Sequence, residues 1–142
     1  MKIKLAKSEL IHFVGIGGIG MSGLALIMKD LGFKVQGSDI ANNKNIERVK
    51  QKKINIFIGH KKQNVNKSTI LVISSAIKMN NPEVEYAKKL DMNILVISAL
   101  TNFAAGIENT ILTHEDVLTN AKKIAKDFSI LLLETINSLN KK

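Results

Sequence analysis

Short apolar runs alternate with segments of helical spacing along most of this chain. Ile11–Gly15 (IHFVG) predicts a buried strand. Met21–Leu31 predicts a helix with Leu24, Ile27, Met28 and Leu31 on one face and Gly32 as its stop. Lys34–Gly37 predicts a second strand, and Asn45–Lys52 a basic helix with a thin apolar face, Ile46 and Val49. Ile54–Ile58 and Thr69–Ser74 predict the third and fourth strands. Asn81-Pro82 opens a helix with proline at its first position. Glu83 and Glu85 then fall in the first turn, where they suit the helix dipole, and Val84, Ala87 and Leu90 face inward. Asn93–Ser98 predicts a fifth strand. After the irregular stretch Thr101–Thr113, Glu115–Leu139 predicts a long helix with Val117, Ala121, Ile124, Phe128, Leu131, Thr135 and Leu139 along one stripe. Leu131-Leu132-Leu133 is apolar all round, so this helix is expected to be deeply covered or to pair with another chain.

Strands that alternate with helices form βαβ units, which cross over right-handedly and build a parallel sheet covered on both faces. The unbroken hydrophobicity of the fourth and fifth runs agrees, because such strands are buried on both sides. The expected fold class is α/β: a Rossmann-like three-layer sandwich with a five-stranded parallel sheet and a long C-terminal helix. Its 142 residues fit a single domain.

Composition narrows the chemistry. The absence of cysteine excludes disulfides, thiolate zinc sites, iron–sulfur clusters and a cysteine nucleophile. No group suggests a metal site. With no Trp and one Tyr, little is left to stack on bases, and the basic stretch Lys44–Lys67 lacks aromatic interleaving or a recognition motif, so a nucleic-acid partner is not expected. Lys2, Lys4 and Lys7 ahead of the apolar run Leu10–Met28 imitate a signal peptide, but five glycines interrupt the run and no small-residue cleavage site follows. A cytoplasmic protein with no membrane partner is expected. The charge is uneven: residues 1–98 hold 16 Lys and Arg against 7 Asp and Glu, whereas residues 99–142 hold 5 against 5. A basic face draws phosphate-bearing ligands, and the break marks two stretches of different character.

Gly15-Ile16-Gly17-Gly18-Ile19-Gly20 satisfies G-x-G-x-x-G where the first strand gives way to the first helix. In that context Gly15 permits the tight turn, Gly17 leaves room for a pyrophosphate, and Gly20 lets the helix lie close on the sheet. The free amides of the helix start then face the anion, and Ser22 adds a hydroxyl. The same stretch falls short of a P-loop, because Met21 stands where a phosphate-binding lysine is required, and no other G-K-[ST] occurs. An ATP site within this sequence is therefore not expected. Asp39 ends the second strand, placed to accept from ribose hydroxyls. These features also fit an NAD(P)-binding Rossmann protein.

Ile11–Asp39 (IHFVGIGGIGMSGLALIMKDLGFKVQGSD), Ile58-Gly59-His60, Ser74-Ser75-Ala76-Ile77 and Asn81-Pro82-Glu83 together resemble the N-terminal domain of the UDP-N-acetylmuramate–L-alanine ligases, Mur ligases of peptidoglycan precursor biosynthesis. The resemblance covers about residues 9–98. It implies a domain that binds the UDP part of UDP-N-acetylmuramate, held as a ligand and not as a permanent cofactor. Gly17, Gly18, Ile19, Gly20, Met21 and Ser22 would lie at the diphosphate, Asp39 and His60 near the uridine, and Ser74, Ser75 and Ala76 along the same crevice. The family's ATPase domain, with its GTHGKTT loop, and its amino-acid domain find no counterpart in these 142 residues. The resemblance thus carries over binding and no catalytic residue, and it suggests a separate Mur ATPase segment as partner.

Ser98–Leu132 (SALTNFAAGIENTILTHEDVLTNAKKIAKDFSILL) is similar to the C-terminal end of the trimeric purine nucleoside phosphorylases. That likeness implies a purine contact for Asn102 and a ribose contact for His114, and it places a join between Pro82 and Ser98. Beside it stand plainer roles: Asn102 as a turn former, His114 as a solvated residue and Thr113 as a helix N-cap.

Overall fold

A computed structural model of the chain describes residues 8–98 and 114–139. The elements run β1 (Leu10–Val14), α1 (Ile19–Asp30), β2 (Lys34–Asp39), α2 (Lys44–Gln51), β3 (Asn55–Ile58), a short 3₁₀ turn at Lys62–Val65, β4 (Ile70–Ser74), α3 (Pro82–Lys89), β5 (Asn93–Ile97) and α4 (His114–Leu139). The five strands form one parallel sheet in the order β3-β2-β1-β4-β5. The chain therefore winds outward from β1 to β3, then returns to the other side of β1. That reversal puts the topological switch point between the C-terminal ends of β1 and β4.

Side chains alternate across the sheet. Ile11, Phe13, Val35 and Val72 pack on one face with α1, Val49 of α2, and Leu132 and Ile136 of α4. Val14, Leu71 and Ile73 pack on the other with Val65, and with Val84 and Ala87 of α3. The rest of that second face is polar, because His12, Gln36 and Ser38 point there and are buried. Two helices begin on asparagine caps: Asn43 Oδ1 accepts from Ile46 N–H at 3.0 Å, and Asn81 Oδ1 from Glu83 N–H at 2.9 Å.

The structure confirms the expected fold class and moves several details. β2 runs through Asp39, since Ser38 and Asp39 pair with Phe57 and Ile58. β5 is an edge strand with Val96 exposed, so its apolar run is not buried on both sides as expected. Leu31 and Leu90, expected inside, are exposed at helix ends. On α4 the inward line is Ala125, Ser129, Leu132 and Ile136, one residue beyond the expected Ile124, Phe128, Leu131 and Thr135. The cause is a close helix crossing. A Cβ on Gly23 would lie 3.3 Å from Ala125 Cβ, so small residues must meet there and set the rotation of α4. Leu131 is consequently exposed while Leu132 is buried. The side chains of Val117, Ala121 and Leu139, and the whole of Thr101–Thr113, lie outside the described residues.

Gly37 sits in β2 beneath the turn that follows β1. A Cβ there would stand 2.6 Å from Ile16 Cδ1 and 2.7 Å from the Phe13 carbonyl oxygen. The backbone oxygen cannot step aside without moving β1. Gly37→Ala is expected to destabilise the fold by about 1–3 kcal/mol, read as a lower urea midpoint at unchanged slope.

Candidate functional site at the glycine turn

Gly15 leaves β1 with φ +76°, a left-handed conformation that glycine adopts without strain. Its N–H and that of Ile16 both donate to the Ser38 carbonyl, at 2.8 and 3.0 Å, which ties the turn to β2. Gly17 N–H donates to Asp39 Oδ2 at 2.8 Å. The Gly17 carbonyl accepts from the side-chain amides of Asn43 and Asn45, at 3.3 and 2.9 Å. Gly18 N–H turns back to the Gly15 carbonyl at 3.1 Å. The turn is thus clamped from three sides before α1 begins.

α1 starts without a side-chain cap and without an acidic residue in its first turn. Its first backbone bond runs from Ser22 N–H to the Gly18 carbonyl at 2.8 Å. The N–H groups of Ile19, Gly20 and Met21 find no acceptor among the described residues, as expected of an uncapped helix start. Gly15, Gly18, Gly20 and Met21 border a cavity of about 210 Å³ at the switch point. Ser74, Ser75, Ala76 and Ile97 border it from β4 and β5, and Ile124, Ala125 and Phe128 close it from α4. The glycine turn and the Ser74–Ala76 segment, far apart in sequence, therefore meet. A second cavity of about 300 Å³, between β5 and α4, is lined by Leu95–Ser98, Phe128, Leu131, Leu132 and Thr135 and holds no charged group.

A Cβ at Gly17 would meet Asn43 Nδ2 at 2.7 Å and Asp39 Oδ2 at 2.8 Å, so the turn itself requires glycine there. Two expectations change. Gly20 does not bring the helix onto the sheet: a Cβ there meets nothing within 4 Å, and the close helix approach is at Gly23. Ser22 is buried and its hydroxyl donates to the Ile19 carbonyl at 3.0 Å, so it offers no donor to a ligand. Asp39 stands behind the turn, with Oδ2 on Gly17 N–H and Oδ1 on Ile40 N–H.

His60 lies outside the cavity. It follows β3 at the same C-terminal edge of the sheet, on the face opposite Asp39. Its Nδ1 is 3.1 Å from Ser38 Oγ and 3.2 Å from Glu83 Oε2. Glu83 is fully buried and gathers five residues around its carboxylate. Oε2 also accepts from Ser38 Oγ at 2.5 Å and stands 3.5 Å from His12 Nε2. Oε1 accepts from Asn64 Nδ2 at 2.5 Å and from Lys61 N–H at 3.4 Å. His12 is itself held at Nδ1 by Gln36 Nε2, at 3.0 Å. Burial raises the Glu83 pKa, but His12, Ser38 and Asn64 together outweigh it and hold the carboxyl below its ordinary 4.5. Glu83 is therefore a buried charged hub, not only a dipole partner at a helix start. His12, Gln36, Ser38 and Asn64 are not among the expected site residues. The available signals were a lone His12 in the otherwise apolar β1 and Gln36 and Ser38 alternating along β2, while Asn64 in the 3₁₀ turn carried none.

Among the described residues no three His, Asp or Glu side chains are grouped to hold a metal ion, and no helix is long and apolar enough to cross a membrane. Asn102 lies outside the described residues. Of His114 only the place is described, at the first turn of α4.

The sheet order and the glycine turn at its switch point define a Rossmann-like α/β domain. The family model described as "Mur ligase family, catalytic domain" matches residues 10–107, which reaches past the Pro82–Ser98 interval where the sequence places a join. The UDP-N-acetylmuramate–L-alanine ligase of Pelagibacter ubique is 72% identical over 88 residues, 62% of this chain and 19% of that protein. That of Bartonella bacilliformis is 54% identical over 95 residues, 67% of this chain and 20% of that protein. The crystal structure of the UDP-N-acetylmuramate-alanine ligase MurC from Thermotoga maritima superposes with a TM-score of 0.59 at 35% identity, over 61% of this chain and 20% of that one. The chain belongs to the Mur ligase family. It spans about one fifth of the length of these relatives.

Proposed function

We propose that this domain binds the uridine diphosphate part of UDP-N-acetylmuramate, with the diphosphate against the start of α1. The observation that carries this reading is the set of three N–H groups, at Ile19, Gly20 and Met21, that have no acceptor among the described residues and stand beside a cavity at the switch point. Such donors, together with the helix dipole, favour a diphosphate anion. The cavity accommodates the diphosphate, and the base and sugar extend beyond it along the strand ends. Asp39 contacts the ribose in this reading, His60 lies toward the base, and Ser74–Ala76 line the opposite wall. The likeness to UDP-N-acetylmuramate–L-alanine ligases supports UDP-N-acetylmuramate as that sugar nucleotide.

The ligation itself lies outside this role. The sequence holds no G-K-[ST] loop to cradle ATP phosphates, so ATP-driven acyl activation falls to a Mur ATPase segment elsewhere. We read α4 as the cover of the sheet face bearing the glycine turn, and residues 1–142 as one Rossmann-like domain.

Thermal-shift titration tests the ligand. UDP-N-acetylmuramate and UDP are expected to raise Tm, by about 2.7 kcal/mol of added stability at a hundredfold over Kd. NADH, NADPH and inosine are expected to leave it unchanged. Stabilisation by NADH without UDP would assign the turn to a dinucleotide, and phosphorolysis of inosine would give the tail a nucleoside site.

A further inference from the structure

We propose that Glu83 is a positioning residue that fixes the tautomer of His60, so that the imidazole offers a bare Nε2 acceptor to the ligand and selects a uracil over a cytosine. The inference rests on the uridine diphosphate reading above and goes beyond it to the means of base selection.

The inward nitrogen of His60 decides the case. Nδ1 lies 3.2 Å from Glu83 Oε2, and an ionised carboxylate can only accept. The Ser38 hydroxyl, also 3.1 Å from Nδ1, gives its own proton to the same Oε2 at 2.5 Å, so toward Nδ1 it too can only accept. Nδ1 is thus faced by two acceptors and must carry the proton. In the neutral ring the lone pair is then on Nε2. No described residue partners Nε2, and the side chain keeps 13% of its surface exposed at the C-terminal edge of the sheet. The carboxylate cannot turn to relieve this arrangement, because Oε1 is held by Asn64 Nδ2 and Lys61 N–H.

A lone pair at that edge suits a ligand that donates. Uracil carries a donor at its ring imide N–H, where cytosine carries an acceptor. A fixed acceptor on the protein therefore bonds the one and repels the other. Nothing in this selection needs a charged imidazole or a proton transfer.

The test has two arms. Nitrogen-15 NMR of the ligand-free protein near pH 7.5 reads the tautomer directly. His60 is expected as Nδ1–H with an unprotonated Nε2, and this preference should be lost in Glu83→Gln. An Nε2–H tautomer in the wild type would overturn the proposal. In the second arm, UDP, CDP and inorganic pyrophosphate are titrated calorimetrically. UDP is expected to bind roughly tenfold more tightly than CDP, about the worth of one hydrogen bond made or opposed. Both Glu83→Gln and His60→Ala should erase that preference and leave pyrophosphate affinity unchanged. The double variant should show no further change. If Glu83→Gln does not fold, His60→Ala, whose altered side chain is partly exposed, carries the same comparison. A UDP preference that survives in either single variant would overturn the proposal. Failure of both UDP and pyrophosphate to bind the wild type would overturn the reading of the glycine turn and with it the ligand assigned to His60. The imidazole spectrum, taken without nucleotide, separates the two failures.

Discussion

Gly20→Asp is expected to leave the domain folded and to weaken UDP binding at least a hundredfold. A Cβ at this position meets nothing within 4 Å, so the new side chain enters open space beside the cavity and displaces no neighbour. The free protein should gain. The change in helix propensity from glycine to aspartate adds only a few tenths of a kcal/mol, and a carboxylate in an uncapped first turn that holds no acid adds about 0.3–1 kcal/mol. The same carboxylate would occupy the donors of the helix start and oppose the diphosphate, and like charges brought together cost several kcal/mol. Calorimetric titration with UDP beside a thermal melt gives both values. Equal UDP affinity in the variant would place the ligand elsewhere. Gly17 is the poorer choice for this test, since any side chain there would strike Asp39 and Asn43 and disturb the turn itself.

Glu83→Ala is expected to cost about 3–5 kcal/mol, the range for removing one partner of a buried charged cluster. The loss leaves His12, Ser38 and Asn64 facing an empty space on the sheet, with Gln36 still bound to His12. Against a typical total of about 5–15 kcal/mol, this brings the fold near its limit. Urea unfolding at pH 7 measures it. The pH dependence has a definite sign. The folded carboxyl titrates below its ordinary 4.5, so its stabilisation is fully present above that value and is lost as pH falls through the folded pKa. Wild type and Glu83→Ala should therefore differ most at neutral pH and converge in acid. A gap that widens on acidification would contradict the assignment of Glu83 as a stabilising carboxylate.

Five strands and four helices were legible in the sequence because each apolar run is short, bounded by glycine or polar residues, and spaced for a βαβ crossover. The glycine turn was legible for the same reason: its position between a strand and a helix is local. What escaped depends on contacts between distant segments. The rotation of α4 follows from Gly23 meeting Ala125, 102 positions apart in a chain whose periodicity fits either of two neighbouring stripes. The role of Gly17 follows from Asp39 and Asn43 folding back over it. Glu83 looked like an ordinary first-turn acid, since a helix start tolerates one by its dipole alone. Its burial arises only when β1, β2, the 3₁₀ turn and α3 come together. His60 was singled out through a resemblance, yet the carboxylate that holds it could not be paired with it by spacing.

The most direct test of the diphosphate site is an amide NMR titration of the isotope-labelled chain with UDP. The N–H signals of Ile19, Gly20 and Met21 are expected to move most, with Ser74–Ala76 following and the starts of β3 and β5, at Asn55 and Asn93, still. Saturable UDP binding that leaves those three amides in place, and shifts instead the basic surface of α2, would contradict that site.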